Sequence, residues 1–175
     1  MPVVADTMVL RYLIEIEVVR ILPRMFDQVI IPPEVARELQ RPKTPTIVRT
    51  WMATPPSWIL IRQPTLPRDP SLRRLHPGEQ DALLLMMEHV APLLLTDDGA
   101  AYKAALARHI PTVRTLRLLA TAAAQQLIDL PAVLTRLDAT TFYSSPEVVT
   151  AMLAQDAARK AAAQAQPLQP RRRKS

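Results

Sequence analysis

A single α/β domain, with helices on both faces of a central parallel sheet, is the fold class this sequence predicts. Short runs of branched apolar residues recur along it: Val3-Val4-Ala5, Val29-Ile30-Ile31, Trp58-Ile59-Leu60-Ile61 and Leu93-Leu94-Leu95. They lack polar alternation, as strands buried on both faces do. Segments of helical apolar spacing separate them, and strand alternating with helix argues for parallel crossovers. A chain of 175 residues holds one domain with a sizeable core, and is too short for two ordinary ones.

Asp6 closes the first strand. Val9, Leu10, Leu13, Ile14, Ile16, Val19 and Ile21 then keep a helical period that Pro23 is expected to stop. Val29-Ile30-Ile31 is a second strand, and Pro32-Pro33 opens a helix through Arg41, with Pro33 suited to a first turn. The Pro- and Thr-rich stretch 42–57 reads as a connection, with a short helix around Ile47 to Met52. Trp58 to Ile61 is a strand and Pro64 to Pro77 a polar loop. Gly78 to Val90 is a helix burying Ala82, Leu83, Leu85, Met86 and Val90. Leu93 to Leu95 is a strand, Asp97/Asp98 start a helix to about Arg108, and Pro111-Thr112-Val113 is the last strand. Leu116 to Ile128, Leu130 to Leu137 and Pro146 to about Ala163 complete the helices. The expected domain is 1–153. Residues 154–175 are expected to form a helix end and a disordered basic tail, because Ala, Gln and Pro give way there to Arg171-Arg172-Arg173-Lys174.

The net charge of +6 is mostly tail: residues 1–155 hold 16 Lys/Arg against 15 Asp/Glu. Overall basicity therefore says little about the functional face. There is no cysteine, hence no disulfide, thiolate zinc site or cysteine nucleophile, which fits a cytoplasmic protein. No apolar stretch is long enough to span a bilayer, and the N-terminus lacks the basic start of a secretion signal.

Four acids stand where a carboxylate would reach the carboxyl edge of a parallel sheet, the edge on which such folds build sites. They are Asp6 after the first strand, Glu38, Asp81 in a first helical turn, and Asp98 after Leu94-Leu95. Converging carboxylates repel one another, and a hard divalent cation such as Mg2+ or Mn2+ relieves them with oxygen ligation. That points to metal-assisted phosphodiester chemistry. Simpler roles compete at each position. Asp6 serves as a helix N-cap, Glu34 is an alternative to Glu38, and Glu79 and Asp97 are alternatives to Asp81 and Asp98.

The order of motifs resembles a PIN-domain protein, in the branch known only as a domain of unknown function. The residues that carry the likeness are Val3-Val4-Ala5-Asp6-Thr7 with Leu10-Arg11-Tyr12-Leu13, Val29-Ile30-Ile31-Pro32 with Val35-Ala36-Arg37-Glu38-Leu39, Gly78-Glu79-Gln80-Asp81-Ala82, Leu94-Leu95-Thr96-Asp97-Asp98 and Phe142-Tyr143-Ser144-Ser145-Pro146-Glu147. The resemblance covers residues 2–153. It implies a three-layer α/β/α PIN-like fold and a Mg2+- or Mn2+-dependent endoribonuclease. It also implies the toxin of a toxin–antitoxin pair, a homodimer held in check by a small inhibitor protein.

On that reading Asp6, Glu38, Asp81 and Asp98 are catalytic, with Asp6, Asp81 and Asp98 as metal ligands. Thr7, Glu79, Thr96, Asp97 and Thr115 support them. Arg11, Arg73 and Arg74 would contact RNA, the latter two within a basic stretch from Arg41 to Arg74 that would form a phosphate-tracking rim. The chain departs from the family pattern in two places. Met8 replaces a small hydroxyl residue two positions after the first Asp, and Arg114 precedes Thr115 where glycine is common. Met8 also argues against a haloacid-dehalogenase-type phosphatase, which needs a second Asp there. It keeps open a catalytically silent binding module acting through a partner. His76, His89 and His109 show no ligand spacing, and Trp51 and Trp58 read as half-buried anchors.

Overall fold

The computed structural model describes residues 1–165. Strands β1 (Val3–Ala5), β2 (Val29–Ile31), β3 (Ile59–Ile61), β4 (Leu94–Leu95) and β5 (Thr112–Val113) form one sheet in the order β3-β2-β1-β4-β5. Every pairing is parallel, as expected. Chain order runs outward from β1 in both directions, so the connection reverses between β1 and β4. That reversal leaves a crevice at their carboxyl ends, where doubly wound sheets bind ligands.

The helices are α1 (Thr7–Glu15), α2 (Leu22–Met25), α3 (Pro33–Leu39), α4 (Thr46–Ala53), α5 (Pro77–Met87), α6 (Gly99–Leu106), α7 (Thr115–Ala124), α8 (Leu130–Asp138) and α9 (Pro146–Ala165). Strand side chains alternate between two cores. Val3, Ala5, Val29, Ile31 and Leu95 pack with apolar residues of α1, α3, α4, α7 and α8. Val4, Ile30 and Leu94 pack with Ala82, Leu83, Leu85 and Met86 of α5 and Ala101 and Ala105 of α6. Each large apolar side chain so buried is worth roughly 1.5–3 kcal/mol, so both faces must be covered. The result is the expected three-layer α/β/α arrangement.

Two expectations about boundaries need correction. Pro23 does not stop the first helix. The helix ends at Glu15, and Pro23 lies in the first turn of α2, where its missing N–H costs nothing. The apolar period runs on because both pieces bury the same side, with Val19, Ile21 and Leu22 in the same core as Leu13. The helices expected to reach Val90 and Ile128 stop at Met87 and Ala124. Each ends in a left-handed residue, His89 at φ 55° and Gln126 at φ 60°. α9 runs unbroken through residue 153, and buried Asp156 pairs there with Arg159 and Lys160. Lys160 also reaches Asp129 at the start of α8, at 3.1 Å. The basic tail from Arg171 lies outside the described residues.

Candidate active site

The acids are delivered by the strand ends. β1 stops at Ala5, so Asp6 falls at the carboxyl edge. Its backbone N–H still donates to Leu95 O (3.0 Å), which sets it beside the end of β4. Its side chain caps α1, Oδ1 accepting from the Val9 N–H at 3.0 Å. The residue is 2 % exposed, and among the described residues Oδ2 has no hydrogen-bond partner. Burial is the main reason its pKa is pushed up to about 7, with the charges of Asp97 and Glu79 adding to the rise. Thr96, buried at the end of β4, stands near enough to oppose that rise, yet its Oγ1 too lacks a partner with hydrogen-bond geometry among the described residues.

A cavity of about 430 Å3 opens over this edge, lined in part by Asp6, Thr7, Met8, Glu38, His76 and Glu79. Glu38 comes from the last turn of α3, where Thr7 Oγ1 donates to Oε2 and Arg41 Nη2 approaches Oε1 at 3.6 Å. Its carboxylate crosses close over α5 because residue 78 is glycine: a Cβ there would sit 2.9 Å from Glu38 Oε2 and 3.2 Å from Val35 Cγ2. Glu79, in the first turn of α5, accepts the His76 backbone N–H at 3.0 Å. Burial raises its pKa, and the charges of Asp98 and Glu38 raise it further. Glu79 is thus the carboxylate that senses Asp6, Glu38 and Asp98 together.

Asp98 caps α6, Oδ1 accepting the Ala100 and Ala101 N–H groups, both at 2.7 Å. Asp97 is spent differently. Its two oxygens take the Thr115 N–H at 2.9 Å and the Thr115 Oγ1 hydroxyl at 2.6 Å, clamping the end of β4 to the start of α7. Asp81 is buried outside the cavity, on another side of α5, with Oδ1 3.2 Å from Arg68 Nη2. Burial raises its pKa and Arg68 opposes the rise, while the charges of Glu34 and Glu38 add to it. Glu79 thus lines the cavity with Asp6 and Glu38, whereas Asp81, which the sequence favoured, lies outside that lining while still feeling the Glu38 charge. Residues two apart on a helix point about 200° apart, and nothing in Gly-Glu-Gln-Asp says which one faces the sheet edge.

Arg11 lines the cavity, 3.4 Å from Glu15 and from Thr141 Oγ1. Arg73 and Arg74 are exposed and do not line it; Arg41 and Lys43, from the start of the same basic stretch, do. Met8 stands in the lining, 38 % exposed. Sequence reasoning missed the need for glycine at 78 and the place of His76 beside Glu79. The spacing of Arg41, three residues after Glu38 and seven after Glu34, signals its pairing with both.

An all-oxygen donor set with a buried, orphaned carboxylate oxygen suits a hard cation in its chemistry. Among the described residues, however, no three acidic or histidine side chains stand close enough to hold a metal ion as placed. A protein-family model described as a PIN domain, in the unknown-function branch of that superfamily, matches residues 2–158. The chain belongs to the PIN-domain family. No curated protein and no solved structure gives a significant match. The PIN fold is nuclease-type, and PIN domains typically use a divalent metal. No helix among the described residues is long and apolar enough to cross a membrane.

Proposed function

We propose that this PIN domain is a Mg2+- or Mn2+-dependent endoribonuclease of the cytoplasm, the toxin of a toxin–antitoxin pair. The observation that carries the reading is the crevice itself. Buried Asp6 keeps an oxygen with no partner among the described residues and feels the charge of Glu79, which in turn feels Glu38 and Asp98, a grouping of carboxylates that a cation would relieve. Asp6, Glu79 and Asp98 would hold the metal, with Asp81 moved from ligand to a structural partner of Arg68. When bound, such a cation would supply acidified water and charge neutralisation at the phosphoryl group. Glu38, held in place by Thr7 and Arg41, is the carboxylate that would orient the attacking water. Thr115 and Asp97 hold the β4 end in register. Arg11, Arg41 and Lys43 offer the cationic rim for the RNA backbone.

Cleavage of a single-stranded RNA should require Mg2+ or Mn2+ and stop with EDTA. Asp6→Asn or Asp98→Asn should lower it by orders of magnitude in a folded protein, and equal cleavage by wild type and both variants would count against the reading. A second reading, a silent PIN-like module, is favoured by the lack of three gathered ligands among the described residues and by Met8 in the cavity wall. It predicts no cleavage with any divalent ion, yet binding of a small partner.

A further inference from the structure

We propose that Arg114, Arg117 and Tyr102 form a second RNA-backbone subsite beside the acidic crevice, taking a phosphodiester of the single strand that flanks the one cleaved. This rests on the nuclease reading for its substrate, and on separate observations for its place. β5 is the outermost strand of the sheet, and it ends at Val113 on the same edge as Asp6 and Asp98. Arg114 follows immediately, capping α7, and Arg117 is three positions on, where side chains share a helix face. A cavity of about 510 Å3 opens there, lined by Tyr102, Thr112, Val113, Arg114 and Arg117.

Two exposed like charges in one small cavity repel one another, and among the described residues neither pairs with a carboxylate. Asp97, the acid that feels the Arg114 charge, has both oxygens committed to Thr115. Arg114 is held in place by an aromatic face instead, its Cζ 4.6 Å from the Tyr102 ring centroid. A guanidinium fixed by its ring partner, with its N–H groups unspent, suits a phosphate, which takes such donors in a planar fork. The link to the crevice is covalent and short, from Arg114 to Thr115 and through its clamp to Asp97 and Asp98. Basic groups on both flanks of an acidic centre would track a strand across it, Arg11, Arg41 and Lys43 on one side and this pair on the other.

The test is fluorescence anisotropy of a labelled single-stranded oligoribonucleotide in EDTA, titrated with the full-length protein across a salt series. The double variant Arg114→Ala/Arg117→Ala should bind several-fold more weakly at low salt. Its log–log salt slope should shrink by about 1.4, the counterion term for two single-strand phosphates. Arg136→Ala, an exposed arginine of α8 outside the cavity, should change little, and Arg114→Lys should fall between. Unchanged binding and slope in the double variant would overturn the subsite, as would an equal loss in Arg136→Ala. Melting temperatures check that the variants fold. Parallel Mn2+ cleavage assays keep the two claims apart. If wild type never cleaves but the double variant still loses binding, the subsite stands and the nuclease reading falls. If wild type cleaves and the double variant keeps its KM, the subsite falls alone.

Discussion

Asp6 is where folding and function pull in opposite directions. Its carboxyl has an ordinary pKa of 3.8 and is held at about 7 in the folded protein, chiefly by burial. Between those values the folded chain keeps a proton that the unfolded chain has lost. The stability that Asp6 contributes is therefore fully present below pH 3.8, is lost as pH rises through 7, and is flat above it. The span amounts to at most about 4 kcal/mol. In EDTA, thermal melts should show that decline between pH 5 and 7, and Asp6→Asn should flatten it. At pH 8 the Asn variant should melt higher than wild type while losing cleavage; a lower melting temperature would mean the carboxylate is not held at a cost. Divalent binding should strengthen with pH up to about 7, since the cation competes with that proton. The value of Asp6 was legible in the sequence, because a strand ends at it and a helix starts after it. The choice between Glu79 and Asp81 was not, since it depends on the rotation of α5 about its axis and on Arg68 folding back from the loop that precedes α5.

Among the elements, α3 and α5 owe their close approach to Gly78. Gly78→Ala should displace the Glu38 carboxylate and push lightly on Val35, at a cost of no more than about 1 kcal/mol, and should lower cleavage more than Gln80→Ala does. Wild-type cleavage and melting in Gly78→Ala would show that the contact relaxes freely. The helix ends also have a chemistry that pattern reading cannot see. With two glycines in the whole chain, the left-handed caps after α1, α5, α6 and α7 fall to Glu17, His89, His109 and Gln126. In each case the next N–H bonds back five residues, Val18 to Leu13, Val90 to Leu85, Ile110 to Ala105 and Leu127 to Ala122. The apolar period predicts where a helix buries itself, whereas a cap carried by His or Gln leaves no glycine to mark its end. A left-handed L-residue costs roughly 1–2 kcal/mol. His109→Gly and Gln126→Gly together should raise the melting temperature by several degrees, measured by calorimetry, and a lower value would show these side chains earn their place.

The whole molecule converts one topological fact into a site. Reversal of the strand order at β1 and β4 brings Asp6 and Asp98, far apart in sequence, to the same edge of the sheet, after neighbouring strands. That much was readable from alternating strands and helices, because parallel crossovers leave few arrangements. The side-chain closure of the site was not readable, because it depends on which carboxylates are already spent on caps and clamps. Regulation belongs to this scale too. An inhibitor that offers an arginine to the crevice would satisfy the same acids a metal does, and its affinity should drop when Asp6 and Asp98 are neutralised together. Unchanged affinity would place the inhibitor elsewhere. The most direct test of the account is Mn2+-dependent cleavage of one labelled single-stranded RNA by four proteins side by side. Asp6→Asn and Glu79→Gln should each lose at least two orders of magnitude against wild type, while Asp81→Asn stays within about tenfold, the scale of an indirect contact. Full activity in Glu79→Gln together with loss in Asp81→Asn would contradict the crevice as the catalytic centre.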